Sequence, residues 1–135
     1  MTAKEVKEAV EYWQKTAEHD HGTMLVLLKN KEYSNTLFFG HIVLEKILKG
    51  LYVKQNEEQA PYTHDLVRLA ENISVELDKK DIIFLKDVND FNIRSRYPER
   101  KLAFYKKCNY KFTKDNLEKI EDLYKKLCQE LRQKK

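Results

Sequence analysis

Hydrophobic residues recur at helical spacing along most of the chain, and five segments follow this pattern. Apolar side chains three, four and seven residues apart predict a first helix over residues 3–29, with a kink or loosening at 20–22. A second helix is predicted over residues 34–55, with Ser34 as its N-cap. Because this second helix is apolar around most of its circumference, we expect it to lie at the centre of a bundle or against a second subunit.

Three more helices are predicted in the second half of the chain, each after a residue whose side chain can accept a hydrogen bond from a free backbone N–H. They are a short helix capped by Thr63 with His64 and Asp65 in its first turn, a helix over residues 79–95 capped by Asp78, and a last helix capped by Thr113 that ends near Arg132. Between the last two, residues 99–111 form a long connection, a length that is uncommon unless the segment is functional or locally helical.

Composition favours a single helical domain over residues 1–135. The chain has only three glycines and two prolines, so few tight turns are available and a few long helices are favoured over a many-stranded β fold. No apolar run approaches the roughly 20 residues of a membrane span, and the N-terminus lacks a secretory leader pattern, so we expect a cytoplasmic protein without a membrane segment. Cys108 and Cys128 are expected to be reduced thiols rather than a disulfide or metal ligands.

Basic residues are concentrated in the last third of the chain. The net charge is +4. Residues 1–50 contain seven basic and seven acidic side chains, residues 51–100 contain eight and ten, and residues 101–135 contain eleven and five. This asymmetry predicts an anionic partner on one side of the molecule. The alternative is an ordinary solvated lysine-rich helix, which we prefer for the last ten residues.

Arg94 and Arg96 stand at the end of a predicted helix, immediately before Tyr97 and Pro98. Because proline is not tolerated in a helix interior, the segment marks a helix end. A guanidinium group donates two parallel hydrogen bonds that match the oxygens of a phosphate, which predicts a cationic pocket beside Tyr97. The alternative is that at least one arginine pairs with an acidic side chain, such as Glu45, and stabilises the bundle.

Three polar residues interrupt the apolar second helix at four-residue steps. His41, Glu45 and Lys49 therefore lie on one line along its surface. A buried glutamate is costly unless it is paired, so we expect Glu45 to contact an arginine or a histidine, with Arg94 or Arg96 as the preferred partner. One interpretation is that these three residues belong to a ligand-binding cleft. The alternative is that His41 is a core histidine whose hydrogen bonds are satisfied.

The remaining histidines have acidic neighbours in the sequence. His64 beside Asp65 looks like a catalytic pair, but at the first turn of a helix the aspartate complements the macrodipole and the imidazole can bond to a loop carbonyl. We therefore expect a structural role for both residues. His19 and His21 flank Asp20, but residues two apart lie on different faces of a helix, so no metal site is expected there.

Residues 100–112 interleave basic and aromatic side chains. A basic groove with stacking rings is how proteins hold single-stranded nucleic acid. The alternative is a connection whose rings pack onto the bundle while its lysines face water. The candidate nucleic-acid contacts are Arg100, Lys101, Tyr105, Lys106 and Lys107.

Four pieces of the sequence, in this order, resemble the HEPN domain (higher eukaryotes and prokaryotes nucleotide-binding). They are Trp13, Ala17 and Asp20 in the first helix, the second-helix core Phe39–Leu51, His64-Asp65-Leu66, and Arg96-Tyr97-Pro98 followed by Phe104-Tyr105-Lys106-Lys107 and the helix capped by Thr113. The resemblance implies an all-α, up-and-down four-helix bundle with an additional short helix, often homodimeric. It also implies a minimal nucleotidyltransferase as partner, in two-gene pairs similar to toxin–antitoxin modules.

Many HEPN proteins are metal-independent ribonucleases, with an arginine, a polar residue and a histidine four to six positions after the arginine. This chain departs from that motif, since no histidine follows Arg94 or Arg96. Without an imidazole there, no local group titrates near neutrality to move the proton of a 2′-hydroxyl. The chain is more similar to the non-catalytic, Arg-Tyr-Pro-bearing branch of the family than to the ribonucleases.

The function predicted from the sequence is a non-catalytic binding module for a nucleotide or nucleic-acid phosphate, in a homodimer and without a cofactor. The candidate ligand contacts are Arg94, Arg96, Tyr97, Glu45 and His41. Two alternatives stay open. One is a metal-independent ribonuclease that takes its acid–base group from His41 or His64 across a dimer interface, and the other is an assembly subunit that binds no ligand.

Overall fold

Six α-helices make up the protein in a computed structural model, which describes residues 1–133. In chain order they are α1 (Ala3–Lys29), α2 (Tyr33–Asn56), α3 (Leu66–Glu71), α4 (Lys79–Arg96), α5 (Pro98–Lys107) and α6 (Tyr110–Arg132). No β-strand occurs in this range, and the predicted all-α class is confirmed. Across the same residues, none of the helices has the length and apolar character that crossing a bilayer requires.

α2 is the central helix, as its apolar circumference predicts. It packs against α1 and α6 and also contacts α3, α4 and α5. Its buried side chains join those of the surrounding helices in one hydrophobic core. α2 and α6 come closest at Gly40, where an added Cβ atom would lie 2.5 Å from Cδ1 of Ile120. The helices can approach this closely because position 40 has no side chain.

The starts of α2 and α4 differ in how the first turn is capped. α4 begins with a reciprocal pair in which Asp78 accepts a hydrogen bond from the backbone of Asp81 and Asp81 accepts one from the backbone of Asp78, so the predicted cap is confirmed. α2 begins at Tyr33 without a side-chain cap. The predicted cap Ser34 is therefore wrong, because that residue already lies inside the helix.

α3 begins later than the sequence predicts. Asp65, not Thr63, is its cap, because the Asp65 carboxylate accepts hydrogen bonds from the backbone N–H groups of Val67 and Arg68. The hydroxyl of Thr63 instead accepts a hydrogen bond from the backbone N–H of Asp65. His64 consequently lies in the loop before α3 rather than in its first turn, and this position decides its contacts.

The long connection at 99–111 is locally helical, which is one of the two alternatives that its length predicts. α5 starts at Pro98, which fits the first helical position because proline has a suitable φ angle and its missing N–H would be unpaired there. Asn109 then caps α6 by accepting a hydrogen bond from the backbone of Phe112. The predicted cap Thr113 is wrong: it is buried inside α6, and its hydroxyl has no hydrogen-bond partner among the described residues.

α1 runs without interruption through residues 20–22 although the sequence predicts a kink or loosening there. The polar residues at this point bind neighbouring helices. The carboxylate of Asp20 pairs with the ammonium of Lys46 on α2 at 2.5 Å, and Nε2 of His21 lies 2.6 Å from a carboxylate oxygen of Glu121 on α6. The polar residues of α1 therefore dock it onto α2 and α6.

Candidate functional site

Glu45 is the centre of a polar cluster on the otherwise apolar α2. Its side chain is only 13% exposed, and one carboxylate oxygen accepts a hydrogen bond from Nδ1 of His64 at 2.8 Å. The other oxygen accepts one from the ammonium of Lys49 at 3.0 Å. The predicted contact of Glu45 with Arg94 or Arg96 is wrong, because a loop histidine and a lysine one turn along the same helix occupy both carboxylate oxygens.

Lys49 is buried with the carboxylate that it binds. Its residue is 8% exposed, and its ammonium lies 5.4 Å from the centre of the Trp13 ring on α1. A buried ammonium is stabilised by an anion and by the face of an aromatic ring. Lys49 has both, so it connects the Glu45 cluster to α1.

His41 is a core histidine with hydrogen bonds to both ring nitrogens. It is 1% exposed, and its Nε2 donates to the backbone carbonyl of His64 at 2.8 Å. The side-chain nitrogen of Asn92 on α4 lies 3.3 Å from its Nδ1, which can accept from that amide when the imidazole is neutral. Burial lowers the pKa of His41, in keeping with this neutral form. His41 thus fixes the loop backbone and is not open to a ligand.

The loop at His64 is held by α4 as well. The side-chain amide of Asn89 donates to Asp65 at 2.9 Å, and its oxygen accepts from the backbone N–H of Leu66 at 3.0 Å. The His64 side chain itself is 55% exposed. His64 therefore has a fixed backbone, a hydrogen-bonded Nδ1 and an exposed ring. Its imidazole binds Glu45 and not the loop carbonyl that the sequence predicts.

The arginines at the end of α4 do not form one pocket. The Nε of Arg94 pairs with Asp90 at 3.1 Å, one turn back on the same helix, whereas Arg96 is exposed. Residues two apart on a helix point about 200° away from each other, so the pocket predicted from both guanidinium groups is wrong. Arg94 instead lines a cleft of about 240 Å³ with Arg100, at the junction of α4 and α5.

The aromatic residues on either side of Pro98 divide into two groups. Phe104 and Phe112 pack against Phe91, with ring centres 5.6 Å and 5.9 Å apart, as the packing alternative predicts. Tyr97 and Tyr105 instead face outward, and Tyr105 is 65% exposed. The packing alternative is therefore confirmed for Phe104 and Phe112, whereas nucleic-acid contact by Tyr105 stays a prediction.

Exposed cations are frequent in the same segment. Arg96, Arg100, Lys101, Lys106 and Lys107 are all exposed, and within residues 1–133 none of them forms an ion pair. The ammonium of Lys107 lies 5.2 Å from the Phe112 ring. We call these five cations, together with Tyr97 and Tyr105, the α5 surface.

The remaining histidine and cysteine candidates are separated from one another in the structure. Among residues 1–133, no group of three or more histidine, cysteine, aspartate or glutamate side chains is arranged to hold a metal ion. His19 contacts Asp20 at 3.4 Å, whereas His21 binds Glu121 on another helix. Cys108 and Cys128 are free thiols. Burial raises the pKa of Cys108 to about 11, which keeps it a thiol at neutral pH.

The sequence analysis did not predict three contacts around Glu45. These are the contact of Lys49 with Glu45, that of Trp13 with Lys49 and that of Asn92 with His41. The spacing of Glu45 and Lys49 carried a usable signal, since residues four apart on a helix are neighbours. Trp13 and Asn92 gave no such signal, because their contacts depend on how α1 and α4 dock onto α2.

Comparison with known proteins agrees with this architecture. A family model of the HEPN domain matches residues 10–134. The crystal structure of TT1696 from Thermus thermophilus is similar, with a TM-score of 0.76 and 17% sequence identity over 89% of this chain and 96% of that chain. At that identity the likeness shows the fold alone. No curated protein matches the sequence. Because the family model spans nearly the whole chain, this protein belongs to the HEPN domain family.

Proposed function

We propose that this protein is a binding module that holds single-stranded nucleic acid, or a nucleotide phosphate, on the α5 surface. The observation that carries the proposal is the presence of five exposed cations between positions 96 and 107 that have no ion-pair partner within residues 1–133, together with two exposed tyrosines in the same segment. Cations without partners attract phosphates, and exposed rings provide faces on which bases stack. The HEPN family membership supports the same ligand class.

The Arg94 cleft adds a second, weaker anion contact to this surface. Arg94 and Arg100 line it together with Asp90 and Glu99, so its charges are balanced. Because Asp90 already pairs with Arg94, we propose that Arg100 makes the phosphate contact and that Arg94 positions the end of α4. We propose that Arg94 and Arg100 take part in binding and not in catalysis, since no histidine follows either of them in the sequence.

Salt-dependent binding of a fluorescent single-stranded RNA, followed by anisotropy, tests the proposal. Affinity should fall with salt, and the double variant Lys101→Ala, Lys106→Ala should reduce the slope of log affinity against log salt by roughly 1.4, or about 0.7 for each lysine–phosphate pair that is removed. The matched control Lys79→Ala, Lys80→Ala removes the same charge at the opposite end of α4. Equal effects of the two variants would show attraction to net charge alone and would contradict a site on α5.

The stacking component needs its own variant. Tyr105→Leu keeps an apolar side chain but removes the ring, and should weaken binding by about 1 kcal/mol or more if a base stacks there. Tyr12→Leu, which removes an exposed ring from α1, is the control and should leave affinity unchanged. If the Tyr105→Leu protein bound with full affinity, stacking on Tyr105 would be contradicted and only the phosphate contacts would remain to explain binding.

We further propose that the protein acts as a cytoplasmic homodimer in a toxin–antitoxin-like pair with a minimal nucleotidyltransferase. The support is the HEPN family membership, together with the exposed apolar side chains Ile93 and Leu102 near the α5 surface. Light scattering of the purified protein measures its oligomeric state, and co-purification with the nucleotidyltransferase tests the partner. Co-purification without any nucleic-acid affinity would favour the rival role of an assembly subunit.

A further inference from the structure

Tyr62 lies in the loop between α2 and α3, and its side chain is fully exposed. The backbone N–H of Thr63 donates to the carbonyl of Pro61 at 2.9 Å, which closes a three-residue turn with Tyr62 at its centre. The next most exposed tyrosine within residues 1–133, Tyr105, is 65% exposed and lies on a helix. The loop therefore presents the whole ring of Tyr62 at the surface.

The backbone on both sides of Tyr62 is held by hydrogen bonds. Two residues after it, the carbonyl of His64 accepts from His41 at 2.8 Å, and the His64 ring donates to Glu45 at 2.8 Å. Four residues before it, the carboxylate of Glu58 accepts from a tyrosine hydroxyl of α2 at 3.2 Å. Because the loop is already ordered, less conformational freedom is lost when a partner binds to it. The contacts of His41 and Glu45, which nucleic-acid binding does not use, thus hold the backbone that carries Tyr62.

The charge of this part of the chain is opposite to that of the α5 surface. Residues 56–78, which include the loop and α3, contain six acidic side chains and one basic side chain, Arg68. A phosphate chain is repelled by such a segment, whereas a cationic protein surface is attracted to it. The acidic residues are all exposed, and within residues 1–133 none of them forms an ion pair; they are Glu57, Glu58, Asp65, Glu71, Glu76 and Asp78.

We propose that Tyr62 is the anchor of a protein-docking surface, and that it binds a protein on which lysine or arginine side chains surround an apolar pocket. The inference rests on the proposed function, because we assign this surface to the protein partner proposed there. Tyrosine is enriched among the residues that dominate the binding energy of interfaces, since its ring buries a large area and its hydroxyl still forms a hydrogen bond. The carboxylates near the ring attract the cations of the partner.

Biolayer interferometry with the immobilised nucleotidyltransferase of the proposed pair tests the anchor. Tyr62→Ser should weaken binding by about 30-fold or more, mainly through faster dissociation, because the central contact of the interface is lost. Tyr12→Ser, which removes an exposed ring from α1, is the matched control and should bind like the wild type. Thermal unfolding should give the same midpoint for Tyr62→Ser and the wild type, since the ring is fully exposed in the folded protein.

A second pair of variants tests the charge of the partner's surface. Glu57→Gln, Glu58→Gln should slow association with the nucleotidyltransferase and make the association rate less dependent on salt. Glu8→Gln, Glu11→Gln removes the same charge from exposed positions of α1 and should have a smaller effect on both quantities. If the two variants slowed association to the same extent, the loop would have no preference for cations beyond that of the whole molecule, and the proposed chemistry of the partner would be contradicted.

Anisotropy with single-stranded RNA separates failure of this proposal from failure of the proposed function. Tyr62→Ser should bind the RNA with wild-type affinity, whereas a loss of RNA affinity would indicate a base on the ring and would overturn the docking role. A Tyr62→Ser protein that keeps its affinity for the nucleotidyltransferase would also overturn docking at Tyr62, but would leave the proposed pair intact. If the wild type formed no complex with the nucleotidyltransferase, the pair and the docking surface would both be overturned, and RNA binding would remain.

Discussion

Glu45 on α2 accepts a hydrogen bond from His64 in the loop before α3, although 19 residues separate them in the sequence. This contact, together with the bond from His41 to the His64 carbonyl, ties the loop to the central helix through both its side chain and its backbone. Lys49 completes the set by binding the second carboxylate oxygen of Glu45. The stability of the fold and the orientation of the exposed imidazole therefore depend on the same carboxylate.

Removing that carboxylate should cost the protein much of its stability. In Glu45→Ala, the buried ammonium of Lys49 loses its anion, and leaving a buried charge unpaired costs about 3 kcal/mol. Urea unfolding followed by circular dichroism measures the change in the free energy of unfolding. The control is Asp115→Ala, which breaks the Lys111–Asp115 pair at the same four-residue spacing but in an exposed position, where little change is expected. Equal effects would contradict a stabilising role for the Glu45 cluster.

The protein should also become less stable as the pH is lowered, because of His41. Burial lowers its pKa below the ordinary value of 6.5, so at acidic pH the unfolded chain binds a proton that the folded protein excludes. The contribution of His41 is therefore complete above about pH 6.5 and is lost progressively as the pH falls below it, by up to about 1.4 kcal/mol per pH unit. Unfolding free energies between pH 8 and pH 5 should decline more steeply in the wild type than in His41→Gln. Parallel curves would show that the pKa of His41 is the same in the folded and unfolded protein, and would contradict this prediction.

The local sequence pattern predicted most of the helices because burial on one face of a helix leaves a periodic signal. α2 was recognisable as the central helix because its apolar residues occur on nearly every side, and the structure surrounds it with other helices. A helix at α5 is indicated by the length of the connection but not by periodicity, because its single buried apolar residue, Phe104, is too little for a periodic pattern. Pro98 was interpreted only as the end of a helix, although proline is equally suited to the first position of the next one.

The polar contacts were harder to predict because they depend on docking geometry. The line of His41, Glu45 and Lys49 followed from spacing alone, but the partner of Glu45 did not. Charge alone predicts Arg94 or Arg96 as that partner, whereas Arg94 pairs with Asp90, one turn away on its own helix. Preference for local pairs over long-range ones would have corrected this interpretation.

Two substitutions at the start of α6 should have opposite effects on stability. Thr113→Val removes a buried hydroxyl that has no partner among the described residues and should stabilise the protein by about 1 kcal/mol. Asn109→Ala removes the side chain that caps the helix and should destabilise it by about 1 kcal/mol. Chemical unfolding of both variants measures the two changes. If Thr113 were the cap, as the sequence pattern indicates, Thr113→Val would be the destabilising substitution and Asn109→Ala the neutral one.

Gly22 offers a direct route to a more stable protein. It lies within the uninterrupted α1, its φ is not positive, and an added Cβ atom would have no neighbour within 4 Å. Gly22→Ala should therefore raise stability by roughly 0.5–1 kcal/mol, because alanine loses less backbone freedom when the helix forms. Thermal unfolding should show a midpoint increase of about 1–4 °C for a protein of this length. Gly40→Ala is the matched control and should lower the midpoint, because its Cβ atom would meet the buried Ile120 at 2.5 Å. A lower midpoint for Gly22→Ala would mean that α1 needs the backbone flexibility of glycine at this position. That result would favour the kink at residues 20–22 that the sequence predicts.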